Sequence, residues 1–199
     1  MKDWTGNEKS IYTTHGASNH SKTERAELDY YATDPQAVKK LLEKEKFKLY
    51  ILEPACGECH ITRVLEANGY NVFSADIVHR GSQWQNTTMD FFEYKPVEKN
   101  KQDIVTNPPY AQAKEFVEHA LDISENGVKV AMFMKLTFLE GKKRKELFDK
   151  YPPKKIYVMR ERIDCWKNGV KPEKAIKAVC YAWFIWEKGF TGNPVIDWI

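Results

Sequence analysis

Short apolar runs that break off on an acid or an asparagine recur along this chain, with stretches of helical periodicity between them. That alternation constrains the fold more than any other property, because strands alternating with helices build an α/β sheet that is mostly parallel. Leu49–Leu52, Asn71–Ile77, Ile104–Thr106 and Val128–Leu136 read as strands, with a weaker one at Gln85–Met89. Lys155–Met159 and Ala178–Trp186 add two more, joined by a polar loop from Arg160 to Lys177. Asp34-Pro35 opens a helix carrying Val38, Leu41 and Leu42, with Asp at the cap and Pro in the first turn. A second helix, Ile61 to Ala67, stops at Asn68-Gly69. A third, about Ala113 to Ile123, sets Phe116, Val117, Ala120 and Leu121 on one face. Lys142–Phe148 reads as a short basic helix ending before Pro152-Pro153.

In such sheets ligands bind outside the carboxyl ends of the strands. Glu53-Pro54-Ala55-Cys56-Gly57, Asp76, Asp90-Phe91 and Asn107-Pro108-Pro109-Tyr110 all fall at carboxyl ends, so four separate segments converge on one cleft. The first is a strand-to-helix turn with small residues where a backbone approaches a ligand closely. Asp76 is placed to accept hydrogen bonds from ribose hydroxyls, and Asp90-Phe91 to hold an adenine by carboxylate and ring. A turn glycine, a surface aspartate and a core phenylalanine would explain these residues one at a time; their order and strand placement carry the argument. Asn107-Pro108-Pro109-Tyr110 is a stiff corner. Proline fixes φ, biases Asn107 toward extended geometry and donates no backbone hydrogen bond. One side-chain amide, bare carbonyls and one aromatic ring are what a flat amine requires.

The chain has 199 residues, 42% of them hydrophobic, with six tryptophans. That suffices for one well-buried domain over residues 29–199, preceded by a loosely ordered polar arm over 1–28. No stretch approaches the ~20 apolar residues of a membrane span, and the N-terminus is polar, so a cytoplasmic protein with its four cysteines reduced is expected. Residues 1–134 carry a net charge of −4 and residues 135–188 of +8. A basic C-terminal third is what a polyanion-binding face needs, although a solvated lysine-rich surface has the same composition. Cys56-Gly57-Glu58-Cys59-His60 matches a haem-attachment pattern and contains Cys-x-x-Cys. Haem attachment goes with export, and no second ligand pair stands at zinc-site spacing. The segment reads better as a ligand-cradling turn, with no metal expected and a redox dithiol left open.

Taken together, these motifs resemble the signature of class I S-adenosylmethionine-dependent amino-methyltransferases of the adenine-N6 type. Tyr31-Ala32-Thr33-Asp34-Pro35 resembles that family's N-terminal cofactor motif, Glu53–Glu58 its methionine loop, Asp76 its ribose acid and Asp90-Phe91 its adenine-binding pair. Asn107–Tyr110 is similar to its catalytic NPPY loop. The order resembles the gamma arrangement, is similar to that of small methyltransferases of phages and prophages, and covers roughly residues 30–186. The resemblance implies a Rossmann-like fold, a seven-stranded mostly parallel sheet with an antiparallel last strand, and S-adenosylmethionine as cofactor. It implies cofactor contacts from Tyr31, Thr33, Glu53, Ala55, Cys56, Gly57, Asp76, Ile77, Asp90, Phe91 and Asn107, and catalysis by Asn107, Pro108, Pro109 and Tyr110. Two departures stand out: Cys59 replaces the second glycine of the methionine loop, and Asp34 is inserted between Thr33 and Pro35.

Asn at the head of the tetrapeptide favours adenine N6 over cytosine N4. The same tetrapeptide serves RNA-adenine and protein-glutamine methylation, and a chain that only binds the cofactor is the rival from another class. Tyr110 is expected to stack under the base, and Trp166 is the candidate for the second wall. Lys142, Lys143 and Arg144 are the expected phosphate contacts, which favours nucleic acid, and DNA first. There is no room for a separate target-recognition domain, so relaxed specificity or a partner protein supplying it is expected.

Overall fold

The structure, a computed structural model, describes residues 30–163, 165–171, 173 and 179–199. The polar arm expected over 1–28, and Ala178 at the start of the last expected strand, lie outside the described residues. The elements in order are β1 (Tyr31–Thr33), α1 (Pro35–Lys44), β2 (Tyr50–Glu53), α2 (His60–Ala67), β3 (Asn71–Asp76), β4 (Thr87–Thr88) and β5 (Asp103–Thr106). There follow α3 (Ala113–Ile123), β6 (Lys129–Lys135), α4 (Lys145–Lys150), β7 (Lys155–Val158), β8 (Cys165–Lys167), β9 (Tyr181–Glu187) and β10 (Val195–Trp198).

Eight strands form one sheet in the order β10-β7-β9-β6-β5-β2-β3-β4, and β1 pairs with β8 in a separate two-stranded sheet. All pairings in the large sheet are parallel except those of β9, which runs antiparallel between β6 and β7. The α/β architecture, mostly parallel with one returning strand, is therefore as the sequence indicates, with one strand more. Val195–Trp198 adds a parallel edge beside β7, so the antiparallel strand is the penultimate one. Four half-exposed residues after Pro194 carry too little pattern to announce a strand. The polar loop expected over 160–177 contains β8, because β1 offers it a partner at Thr33↔Cys165, Ala32↔Trp166 and Tyr31↔Lys167. The basic segment after β6 is a 3₁₀ turn, Lys142–Arg144, leading into α4.

The central strands are buried on both faces, and their alternation sorts them into two cores. Ile104, Val130, Met132, Phe184 and Trp186 pack with Phe116, Val117 and Leu121 of α3. Val105, Ala131, Phe133, Trp183 and Ile185 pack with Val38 and Leu41 of α1 and with Ile61 and Leu65 of α2. Each fully buried large apolar side chain contributes about 1.5–3 kcal/mol. Helix α1 starts where the sequence places it: the Asp34 carboxylate accepts the Gln36 N–H at 2.9 Å and Pro35 takes the first helical position. The inserted aspartate is thus a helix cap. Trp183 Nε1 donates to the Ala37 carbonyl at 2.9 Å and ties α1 to the sheet. Among the described residues no helix is long and apolar enough to cross a membrane.

Candidate functional site at the strand switch point

The strand order reverses between β2 and β5: the chain proceeds outward from β2 through β3 to β4 and returns to β5 on the other side. Such a reversal opens a crevice at the carboxyl ends of the strands. Here a cleft of about 370 Å³ lies at that point, lined by the ends of β2, β3 and β5, by β1, and by the first residues after β4.

Asp76 organises one side. Its Oδ2 accepts the Gly57 N–H at 2.8 Å, its Oδ1 accepts the Val78 N–H at 3.0 Å, and its carbonyl accepts the Met89 N–H at 2.8 Å. One residue therefore fixes the turn after β2 and both ends of the 77–89 loop. Gly57 has φ +55°, and a Cβ there would meet Tyr30 Cε2 at 2.2 Å, so a side chain is excluded by backbone and by space. Cys59, in place of a second glycine, also holds a left-handed φ of 62° as it enters α2 without a side-chain cap. The missing cap comes from Glu53 instead, whose Oε2 accepts both the N–H (2.8 Å) and the hydroxyl of Thr62. Burial pushes the Glu53 carboxyl well above its ordinary range. Cys56 and Cys59 share a hydrogen bond at 3.1 Å, which holds the Cys59 thiol down to about 7 and pushes Cys56 well up.

Asn107 forms the opposite corner. Its Nδ2 donates to the Tyr31 carbonyl and to Thr33 Oγ1, both at 3.0 Å, with Cys165 Sγ at 3.8 Å. Its Oδ1 is buried and has no hydrogen-bond partner. The amide is thus anchored through its nitrogen to β1, with one acceptor left unsatisfied at a cleft wall. An unsatisfied buried acceptor costs about 1–3 kcal/mol, a strain that a ligand N–H relieves.

The cleft brings together Tyr31, Thr33, Glu53, Ala55, Cys56, Asp76, Ile77, Asp90, Phe91, Asn107, Pro108 and Pro109. Asp90 caps the 3₁₀ turn that follows it through the Phe92 N–H at 2.9 Å, and Phe91 is packed on Phe116 and His119. Gly57 stands behind the lining rather than in it.

Tyr110, expected as an open stacking face, lies outside the cleft. Its ring stacks on Tyr31 at 5.2 Å, Lys135 Nζ lies 4.8 Å from its centroid, and its hydroxyl donates to that of Tyr181 at 3.3 Å. Burial pushes the Tyr110 hydroxyl well up, as it does the neighbouring Cys165 thiol, to about 11. Neither group serves as a base near neutral pH. Trp166 is likewise outside the cleft, with its ring edge-on to His60 at 5.7 Å. Lys142, Lys143 and Arg144 are on the surface turn after β6, where Arg144 covers Phe138 at 4.8 Å.

Among the lining residues that the sequence did not single out are Tyr30, His60 and Arg80. His60 Nδ1 and Arg80 Nε are buried without partners. His60 was visible only inside the Cys-x-x-Cys-His string, and Arg80 sits in the loop whose path had no periodic signal. Among the described residues no group of three or more His, Cys, Asp or Glu side chains is arranged to hold a metal ion.

No protein-family model and no curated protein sequence matches the chain. Solved structures do match in shape. A protein from Listeria monocytogenes described as a class I S-adenosylmethionine-dependent methyltransferase superposes with a TM-score of 0.57 at 14% identity, covering 96% of this chain and 71% of its own. The methyltransferase subunit of a type I restriction-modification system from Streptococcus thermophilus gives 0.60 at 11% identity, over 88% of this chain and 48% of that one. A protein from Pyrococcus horikoshii described as an RNA methyltransferase gives 0.57 at 12% identity, over 90% and 98%. With the strand order and the crevice at its reversal, these likenesses identify the fold of the described residues as the Rossmann-like fold of class I methyltransferases.

Proposed function

We propose that the chain is an S-adenosylmethionine-dependent methyltransferase acting on the exocyclic N6 amine of adenine in nucleic acid, DNA before RNA. The observation that carries this reading is Asn107: an amide fixed through its nitrogen, with a buried acceptor lacking a partner, at a proline-locked corner of the switch-point cleft. The residues fit the cofactor. Asp76 would take the ribose hydroxyls, Asp90 and Phe91 the adenine, and the Glu53–Gly57 turn the methionine end. When bound, the cofactor supplies an electrophilic methyl group on a cationic sulfur.

The protein's own part is orientation. Asn107 Oδ1 and the Pro108 carbonyl accept the two hydrogens of the amine, which turns the nitrogen lone pair out of the base plane. Neither proline competes with a donor of its own. No side-chain nucleophile is needed, and the Tyr110 and Cys165 protons beside Asn107 are held above neutral pH. The burden falls on positioning and on dipoles fixed in advance. In a duplex the base must leave the stack to reach this corner. Tyr110, held between Tyr31, Tyr181 and Lys135 outside the cleft, would support the corner through its packing with Tyr31 rather than stack on the base. Lys142, Lys143 and Arg144 would meet phosphates, and the target sequence would be read by loops or by a partner protein.

The test is incubation with methyl-labelled cofactor against duplex DNA, single-stranded DNA, RNA and a release factor. Label on adenine N6 in nucleic acid is expected, strongest in DNA. Label only in the protein substrate, or in none of the four, refutes the assignment.

A further inference from the structure

We propose that Arg80, seated on the ring of Tyr30, is the anion-binding residue of the cleft and takes the carboxylate at the amino-acid end of the cofactor. The inference rests on the methyltransferase reading and adds to it a residue that none of the recognised motifs contains.

The first support is charge. The cleft is lined by the acidic side chains Glu53, Asp76 and Asp90 and, among the described residues, by one permanently charged cation, Arg80. The other basic group, His60, is pushed below its ordinary value by burial and is neutral near pH 7. Glu53 is engaged with Thr62 and Asp76 with the N–H groups of Gly57 and Val78. None of the ion pairs among the described residues includes Arg80. Arg80 is half-buried, and its Nε, out of water and without a partner, gains a hydrogen bond when a ligand brings a carboxylate.

The second is position. The Arg80 guanidinium lies 4.1 Å from the Tyr30 ring centroid. That ring packs directly over Gly57, and its hydroxyl accepts the Glu58 N–H at 3.2 Å. Arg80 is therefore held above the turn after β2, the part of the cleft assigned to methionine. The third is geometry. Arg80 Nε is buried and without a partner, and Nε together with one Nη is the edge that grips a carboxylate through two parallel hydrogen bonds. The contact with the Tyr30 ring restrains the side chain, so less of its freedom is lost on binding. A nucleic-acid phosphate has the same chemistry, and the outcomes of the experiment separate it from a cofactor carboxylate.

The experiment compares S-adenosylhomocysteine with its decarboxylated analogue S-adenosyl-3-thiopropylamine, which differs by the carboxylate alone. Both, and a duplex DNA separately, are titrated calorimetrically into the wild type, Arg80→Gln and Arg80→Lys, with melting curves to confirm folding. Arg80→Gln is expected to weaken S-adenosylhomocysteine roughly ten- to a hundredfold, as for a lost charge-assisted pair. The analogue should change by no more than about threefold, and Arg80→Lys should recover part of the loss. Equal weakening of both ligands, no weakening of either, or a loss confined to duplex DNA affinity overturns the proposal while leaving the methyltransferase reading standing. A wild type that binds neither ligand overturns both.

Discussion

Asn107 is anchored through its amide nitrogen, which determines what its substitutions do. Asn107→Ala removes the acceptor proposed for the amine together with two hydrogen bonds to β1. Loss of one preorganised polar group of this kind costs about 10²–10³ in rate. Initial rates of label transfer should fall by that factor, while affinity for S-adenosylhomocysteine stays within about threefold; an Asn107→Ala enzyme of near-normal rate would disprove the role. Asn107→Asp is a sharper probe of the anchor, because it sets a carboxylate oxygen against the Tyr31 carbonyl where an N–H stood. It should lower the melting temperature more than Asn107→Ala does, although the side chain keeps its size. The amide was legible in the sequence, from its place between an apolar strand and two prolines. Its missing partner was not, since satisfaction depends on β1, which lies more than seventy positions earlier in the chain. Tyr110 shows the same limit: the residue type suggests a stacking face, and the packing of Tyr31 and Lys135 determines that the face is covered in this state.

At the level of elements, two short turns set the cleft. Gly57 combines a left-handed φ with direct contact to Tyr30, so Gly57→Ala carries both backbone strain and a clash. A loss of roughly 2–4 kcal/mol is expected in urea unfolding. Adding Tyr30→Ala should return the part due to the clash and leave about 1 kcal/mol of backbone strain, an interaction energy that a double-mutant cycle reads directly. Additive losses would show that the ring and the turn are independent. Asp34→Ala removes the cap of α1 and should cost about 1 kcal/mol, with little effect on activity. These elements were readable locally because a cap, a proline and a glycine each act on their own backbone. Strands β8 and β10 were not. They are short, only partly buried, and exist because β1 and β7 present open edges to them.

For the whole molecule, one polar cluster stands apart from the cleft, at the opposite end of the sheet. Burial by itself would raise the Glu45 carboxyl, but hydrogen bonds from Lys129, Lys155 and Tyr157 outweigh it and hold the group below its ordinary value. A carboxyl lowered by folding stabilises fully above its unfolded value, about 4.3, and loses that stabilisation as pH falls through the folded value. Unfolding free energy should therefore fall below about pH 4.5 in the wild type and do so less steeply in Glu45→Gln; parallel curves would remove the cluster from acid sensitivity. The basic turn makes a separate prediction. If Lys142 and Lys143 meet phosphates, converting both to Gln reduces the slope of log affinity for DNA against log salt by about 2, and an unchanged slope would place the nucleic acid elsewhere. By itself the sequence determined the layered α/β order and the polar residues at strand ends, because hydrophobic period and turn chemistry act over a few neighbouring residues. Only the tertiary structure decided which of those residues share a cleft, that Arg80 and His60 join them, and that Tyr110 and Trp166 turn elsewhere. Those outcomes follow from strand order and from packing between segments far apart in the chain, which no local pattern encodes.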